Sequence, residues 1–599
     1  MEIANISETF RLRDLEIGTS QNSQKYKQRA QLCVKKILEK SFPYMSSQEI
    51  PPLLKKRKKG CFLIRLEEPS FKIQGLINPI LGLPEDMLNA VGSFLTPKEL
   101  HTIAVTAKPL ERQSDIQKLI RLNNGMPVKD LGLKKKSLFS LLIRNKKDPK
   151  IKIKELNLDN IIITDIGALL NLCPDICALS AADCNFKSIV AIQIASYQTI
   201  RELNLSANKL SSKEAIAISK MANLTKLNLQ RNDLGDDGAE AISKMSNVTS
   251  LNLKRNNLTD LGARLISGMV NMTSLDLSWN GLDNPAAKLI SKMSTLTSLN
   301  LAESRIENSG AIAISTMSNL TSLNLAVNLI GDEGATAISG MINIRSLELG
   351  SNQILSEGVI AISRMFNVTT LGLGDNRLVI GEAIAISKMT NVTSLSLGRN
   401  QLGDEGTKLI ARMTNLMILN LSYNRIGYRG AEHISMMSTL TSLDLEENQL
   451  GDEGASYISR MGNLTTLNLS YNNIGYEGAK QISQMVTLMS LNLEGNRLGN
   501  EGVEPISRMG NLTTLNLSDN DMLDQGPAHI SKMGNLTALN LSYNCIGDEG
   551  AKQISQMVTL TSLDLQENAI SDEGAECIRS MPTLAILDLE YNSIDKQLF

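Results

Sequence analysis

From Ile200 onward, apolar residues return to the same places every 24 residues, beginning Ile200, Leu224, Val248, Met272, Leu296, Leu320 and continuing to Leu584. The interval 200–584 holds sixteen periods, hence seventeen units without insertion, and two weaker units begin near Ile153 and Ile176. Residues 320–343, LTSLNLAVNLIGDEGATAISGMIN, show the pattern. Leu320, Leu323 and Leu325 surround a short strand and face the core. Asn328 stands where the chain leaves the strand, and stacked asparagines there predict a ladder between coils. Ile330 returns the chain to the core, and Asp332 is suited to cap a helix. Gly334 and Ala335 are small, so the helix is expected to lie close to the sheet. Ile338 and Met341, three apart, bury one helical face. The methionine at this last place recurs from Met221 to Met581 and reads as core filler.

A unit this short cannot bury its apolar face alone, so the units must stack. The spacing resembles leucine-rich repeats of the ribonuclease-inhibitor type. The expected fold class is α/β, a curved horseshoe solenoid with a parallel sheet inside and helices outside. A helix about 10 Å wide facing strands about 4.8 Å apart forces the curve, and nineteen strand spacings give an arc of roughly 90 Å. The repeating serines and aspartates have no histidine beside them, so binding is expected rather than catalysis, with no cofactor and no metal.

The residues that break the repetition carry the information. Just before the ladder asparagine stand Arg231, Arg255, Trp279, Arg399, Tyr423, Glu447, Tyr471, Asp519, Tyr543, Glu567 and Tyr591. One place earlier come Lys254, Glu446, Glu494 and Glu590, so this rim runs from basic to acidic. Drift on a solvated face is one reading. The other is a substrate-binding strip of Arg231, Arg255, Trp279, Arg399, Tyr423, Tyr471 and Tyr543, because Trp, Tyr and Arg dominate interface hot spots. Ser304 and Cys184, which replace ladder asparagines, read as tolerated variants.

Ahead of the array, residues 83–110 read LPEDMLNAVGSFLTPKELHTIAVTAKPL. Pro84 suits a first helical turn, Leu88, Val91 and Leu95 keep helical spacing, and Thr96 to Glu99 form a capping box. The stretch is either a helical cap or something more specific. It resembles the F-box through Leu83-Pro84, Glu85, Met87-Leu88, Val91, Phe94-Leu95, Glu99-Leu100, Ala104-Val105 and Lys108, with Leu110 near the place of that family's closing tryptophan. The resemblance implies a small all-α domain docking on the Skp adaptor of a cullin–RING ubiquitin ligase through Leu83, Pro84, Leu88, Val91, Phe94, Leu95 and Leu100. With the repeats behind it, the architecture is similar to GALA-type bacterial effectors. The expected organisation is an N-terminal segment of unknown fold (residues 1–75), F-box (76–120), helical linker and cap (121–152) and repeat domain (153–599).

Composition narrows the classes. A hydrophobic fraction of 42% over 599 residues supports a large core, and a net charge of -1 gives no reason to expect nucleic-acid binding. Seven cysteines at irregular spacing imply no disulfide framework, and three histidines leave little for a zinc site. No signal-like N-terminus and no run of roughly 18 uncharged apolar residues is present, so the chain is expected not to be an integral membrane protein and to be cytoplasmic, or in a host cytoplasm or nucleus if injected. The Asn-x-Thr triplets fall at one repeat position and read as consensus rather than glycosylation sites. The basic run LLKKRKKG (53–60) reads as a solvated charge run, with a nuclear signal or acidic-lipid contact as alternatives. Cys173-Pro174-Asp175 matches the cysteine-nucleophile triplet of some bacterial ligases. Three functions compete: a ubiquitin-ligase substrate receptor holding an unknown protein substrate, a ubiquitin-independent scaffold, and a cysteine-dependent ligase.

Overall fold

The computed structural model describes residues 54–56, 62–64, 153–161, 166–186 and 188–595. The chain divides into two units, Met1–Ile120 and Arg121–Phe599. In the first, Leu54–Lys56 pairs antiparallel with Phe62–Ile64, so part of the basic run is strand. The F-box-like residues Leu83, Pro84, Leu88, Val91, Phe94, Leu95 and Leu100, and the linker that follows, lie outside the described residues.

In the second unit, nineteen three-residue strands run from Glu155–Asn157 to Ile586–Asp588, each followed, except the last, by a helix of five to nine residues. Every strand pairs in parallel with its sequence neighbours, typically in a register of one period such as Ser322↔Ser346. Pairing begins with Glu155↔Ala178 and ends with Ser562↔Ile586; no bond among the described residues joins the first strand to the last, and the sheet is open. The middle residue of each strand is a leucine that points inward. Leu320, Leu323, Leu325, Ile330, Ala335 and Ile338 are all buried, and the methionines from Met221 to Met581 lie beneath the helices. The fold is the parallel-sheet solenoid with outer helices that the pattern predicts.

Polar side chains join the coils. Asn328 accepts the Ile306 N–H of the preceding coil through Oδ1 (2.9 Å) and donates through Nδ2 to the carbonyls of Leu301 and Leu325 (both 3.0 Å). Where Cys184 replaces the asparagine, its thiol donates to the Leu158 carbonyl at 3.2 Å. Ser304 is too short to do the same, and its buried hydroxyl has no partner. Two further ladders run through the Asn-x-Thr triplets. Asn319 Nδ2 donates to the Ser294 carbonyl (2.7 Å), and Thr321 Oγ1 to the Thr297 carbonyl (3.1 Å). Asn343 and Asn415 make the asparagine bond without a hydroxyl residue two places on, so the bond belongs to the coil and not to the triplet.

Two expectations are corrected. Asp332 does not cap its own helix, Asp332–Ile338, whose N-cap is Gly331. Its Oδ1 accepts the N–H groups of Leu355 (2.7 Å) and Gly358 (2.9 Å), capping the helix of the next coil, while its own helix is capped by Asn308. The free backbone donors of a helix start are thus satisfied across the coil boundary. Gly334 is small for the same reason rather than for approach to the sheet. An added Cβ would stand 2.9 Å from Asn308 Oδ1 and 2.8 Å from Ile330 Cγ2.

Asp548 shows this cap at full strength, accepting the Ser571 hydroxyl (2.6 Å) and the N–H groups of Ser571 (2.8 Å) and Gly574 (3.0 Å). The Ser571 hydroxyl, with the two N–H groups, holds its carboxyl below the usual range. A depressed folded-state pKa contributes stability above the ordinary carboxylate pKa of about 3.9, lost as pH falls through the folded value. Asp548→Ala should cost about 1 kcal/mol in urea denaturation at pH 7. The gap to wild type should close on acidification below pH ~4; a gap unchanged there would show that the charge is not what caps.

Candidate functional site

The residue before each ladder asparagine lies three places beyond its strand, at the sheet edge formed by the strand C-termini. Its backbone is left-handed in coil after coil: φ is 55° at Arg231, 60° at Trp279, 56° at Arg399 and 53° at both Tyr423 and Tyr471. The cause is the ladder. The N–H at this place donates to the next coil, Tyr423 to the Glu446 carbonyl and Tyr471 to the Glu494 carbonyl at 2.8 Å, while the asparagine turns inward. Left-handed backbone costs an L-residue with a Cβ roughly 1–2 kcal/mol, so these side chains are presented outward from a constrained base.

The seven residues singled out from the sequence do not form one site. Arg255 and Trp279 come together, with the Arg255 guanidinium 5.6 Å and the Lys254 ammonium 5.9 Å from the indole centroid. That range is the one in which a cation is attracted to the ring. Arg231 and Tyr543 are exposed and join neither this pair nor the next group. Between the clusters the edge carries Glu303, Val327, Ser351 and Asp375. The place before it is glycine in three successive coils, Gly350, Gly374 and Gly398, and Glu348 folds across Gly372, its carboxyl raised by burial.

Arg399, Tyr423 and Tyr471 form the second cluster. The Arg399 guanidinium sits 4.0 Å from the centroid of the Tyr423 ring. Tyr423 Oη donates to Glu446 Oε1 (3.2 Å) and Tyr471 Oη to Glu494 Oε1 (3.1 Å). Burial and the Glu494 carboxylate push the Tyr471 phenol up to about 12, and burial and Glu446 raise that of Tyr423, so both remain protonated donors. The other oxygens of Glu446 and Glu494 accept Asn468 Nδ2 (3.3 Å) and Asn516 Nδ2 (2.9 Å). Of the acidic residues that the sequence places on the rim, these two are therefore engaged internally. Glu447 is exposed, with no hydrogen bond or ion pair from its carboxylate among the described residues. Tyr423 and Tyr471 flank a groove of about 500 Å³ with Arg425, Glu447, Gln449 and Asn473 between them.

Gly495 also borders this groove, and the sequence reading missed it. Its φ is +62°, and a Cβ there would collide with the Tyr471 ring, so the glycine is the seat on which that ring lies. The available signal was a glycine at a place where neighbouring coils carry Glu447, Tyr471 and Asp519. A patch on the helical side was missed too: Leu355, Phe366, Val379, Ile380 and Ile384 are exposed in two adjacent coils that lack the usual Gly-Asp-Glu helix start.

Cys173 is buried and its thiol is pushed up to about 12 by burial, the opposite of what a nucleophile requires. Among the described residues no group of three or more His, Cys, Asp or Glu is placed to hold a metal ion, and no helix is long and apolar enough to cross a membrane.

A family model described as Leucine rich repeat matches residues 222–282, 294–354, 390–450, 438–498, 486–546 and 510–570, together just over half of the chain. No curated protein matches it. Among solved structures it is similar to an LRR protein of Leptospira interrogans, with 26% identity over 67% of this chain and 98% of that one and a TM-score of 0.39. An internalin of Listeria monocytogenes matches at 20% identity over 58% and 82%, TM-score 0.31. The ectodomain of the Arabidopsis receptor kinase HAESA, in complex with a peptide hormone, matches at 18% over 75% and 84%, TM-score 0.38.

Gly495→Ala should unseat the Tyr471 ring, because the new methyl takes its place and the backbone there disfavours any Cβ. The expected readouts are a loss of about 1 kcal/mol in urea denaturation and a fall in the Tyr471 phenol pKa measured by ultraviolet titration. An unchanged phenol would show that the ring does not depend on the glycine.

Proposed function

The chain belongs to the leucine-rich repeat family, and from that premise we propose that it is a non-catalytic binding protein that captures a protein partner along the sheet edge at the strand C-termini. The observation that carries this reading is the fixed presentation of Trp279, Tyr423 and Tyr471 on left-handed backbone, with cations stacked on Trp279 and Tyr423. Glycine or asparagine would hold that backbone at lower cost, so these side chains are best explained by what they touch. Rigid aromatic and Arg side chains of this kind are typical interface anchors.

The finer reading rests on residues 83–110. Their likeness to the F-box makes the chain the substrate-recognition subunit of a cullin–RING ubiquitin ligase, docked on the Skp adaptor through Leu83, Pro84, Leu88, Val91, Phe94, Leu95 and Leu100. Its place of action is then the cytoplasm, that of a host cell if the chain is an injected effector. Support for this comes from the motif together with the repeat array behind it.

Trp279→Ala and Tyr471→Ala should each weaken capture of a partner by about thirtyfold, measured with the protein that wild type retains from a host lysate. Lys244→Glu and Lys292→Glu, in the turns just after the outer helices, should leave capture unchanged. The reverse pattern would place the binding face on the helical side. Separately, Leu88→Asp with Phe94→Asp should abolish co-purification with the Skp adaptor, since two charges would be buried without partners. Undiminished co-purification would leave the chain a scaffold without a ubiquitin role.

A further inference from the structure

We propose that the groove between Tyr423 and Tyr471 is a receptor for one arginine side chain of the partner protein, its guanidinium lying between the two rings above Glu447. The inference rests on the edge being the binding face and adds which chemistry its central groove selects. Four observations carry it.

The rings come from coils two periods apart, with Glu447 contributed by the coil between them, so aromatic walls and an acidic group converge on one space of about 500 Å³. Each ring is held before anything binds: Tyr423 by Arg399 and Glu446, Tyr471 by Gly495 and Glu494. Preorganised rings lose little entropy on binding. The Arg399 guanidinium on Tyr423 is an internal instance of the same recognition, and it is not among the residues that line the groove.

Charge then decides between cation and anion. Glu446, Glu447, Glu494 and Asp519 bear on the two phenols, against Arg399 and Arg425. Glu446 and Glu494 are spent on the tyrosine hydroxyls and on Asn468 and Asn516. Glu447 is the acid that lines the groove, and among the described residues its carboxylate has no hydrogen bond or ion pair, so it can receive a planar fork of N–H donors. A guanidinium satisfies ring faces and carboxylate together, which an anion or an apolar side chain cannot do.

The test uses the full chain and a fluorescein-labelled peptide carrying three arginines separated by glycine and serine, with copies in which citrulline or glutamate replaces arginine. In fluorescence anisotropy at 150 mM salt the arginine peptide should bind at least about tenfold tighter than the citrulline copy. Glu447→Gln and Tyr423→Ala should each remove that preference. Glu453→Gln, in the outer helix of the same coil, should retain it. Glu447→Gln is close to isosteric, so its effect is separable from misfolding. Equal binding of the citrulline peptide, tighter binding of the glutamate peptide, no measurable binding, or an unchanged preference in Glu447→Gln would each overturn the assignment. If partner capture still depends on Trp279 and Tyr471 while the arginine preference is absent, this inference alone fails; if capture is insensitive to those residues, the edge itself has been misassigned.

Discussion

A coil of this protein cannot satisfy its own backbone, and the rest of the structure follows from that. Its helices, at five to nine residues, are too short to be stable in isolation. In many coils the starting N–H groups are taken up by a carboxylate or amide of the preceding coil, as Asp332 does for Leu355 and Gly358 and Asp452 for Gly475 and Gly478. The turn after most strands is held by an asparagine that bonds one coil back, and the turn after most helices by another asparagine or a threonine. Each bond reaches a residue one period away, so a coil one residue too long would miss several partners at once. Seventeen units without an insertion are what that constraint requires.

The same ladder creates the edge proposed to bind. Because the N–H before each ladder asparagine is committed to the next coil, the backbone there is left-handed and its side chain cannot join the core. That place is structurally free of duty and can vary from coil to coil, and here it varies from Arg255 and Trp279 in the early coils to Tyr423, Glu447 and Tyr471 further along. The two clusters differ in kind. Around Trp279 two cations approach one indole. Around Tyr423 and Tyr471 the phenols are tied to glutamates, and one carboxylate is left over. A partner meeting both would present opposite chemistry to each, with Glu303, Val327, Ser351 and Asp375 on the span between them.

Much of this was legible in the amino-acid sequence because it is local and repeated. The period, the buried leucines, the ladder asparagines, the methionine under each helix and the edge position are all stated by spacing alone. The sequence also named Tyr423 and Tyr471, and placed Glu446, Glu447 and Glu494 beside them. Tertiary structure decided the connections between coils. Asp332 at a helix start reads as a cap for that helix, yet its carboxylate serves the next one, since the closer donors lie across the coil boundary. Glu446 and Glu494 read as partner-facing acids, yet they hold tyrosine hydroxyls. Gly495 offers no side chain to read, yet it is the seat of an aromatic ring. Composition and period register which residue types occur at each place. Which of two chemically suitable neighbours a side chain reaches depends on how adjacent coils are set against each other, and that exists only once the stack has formed.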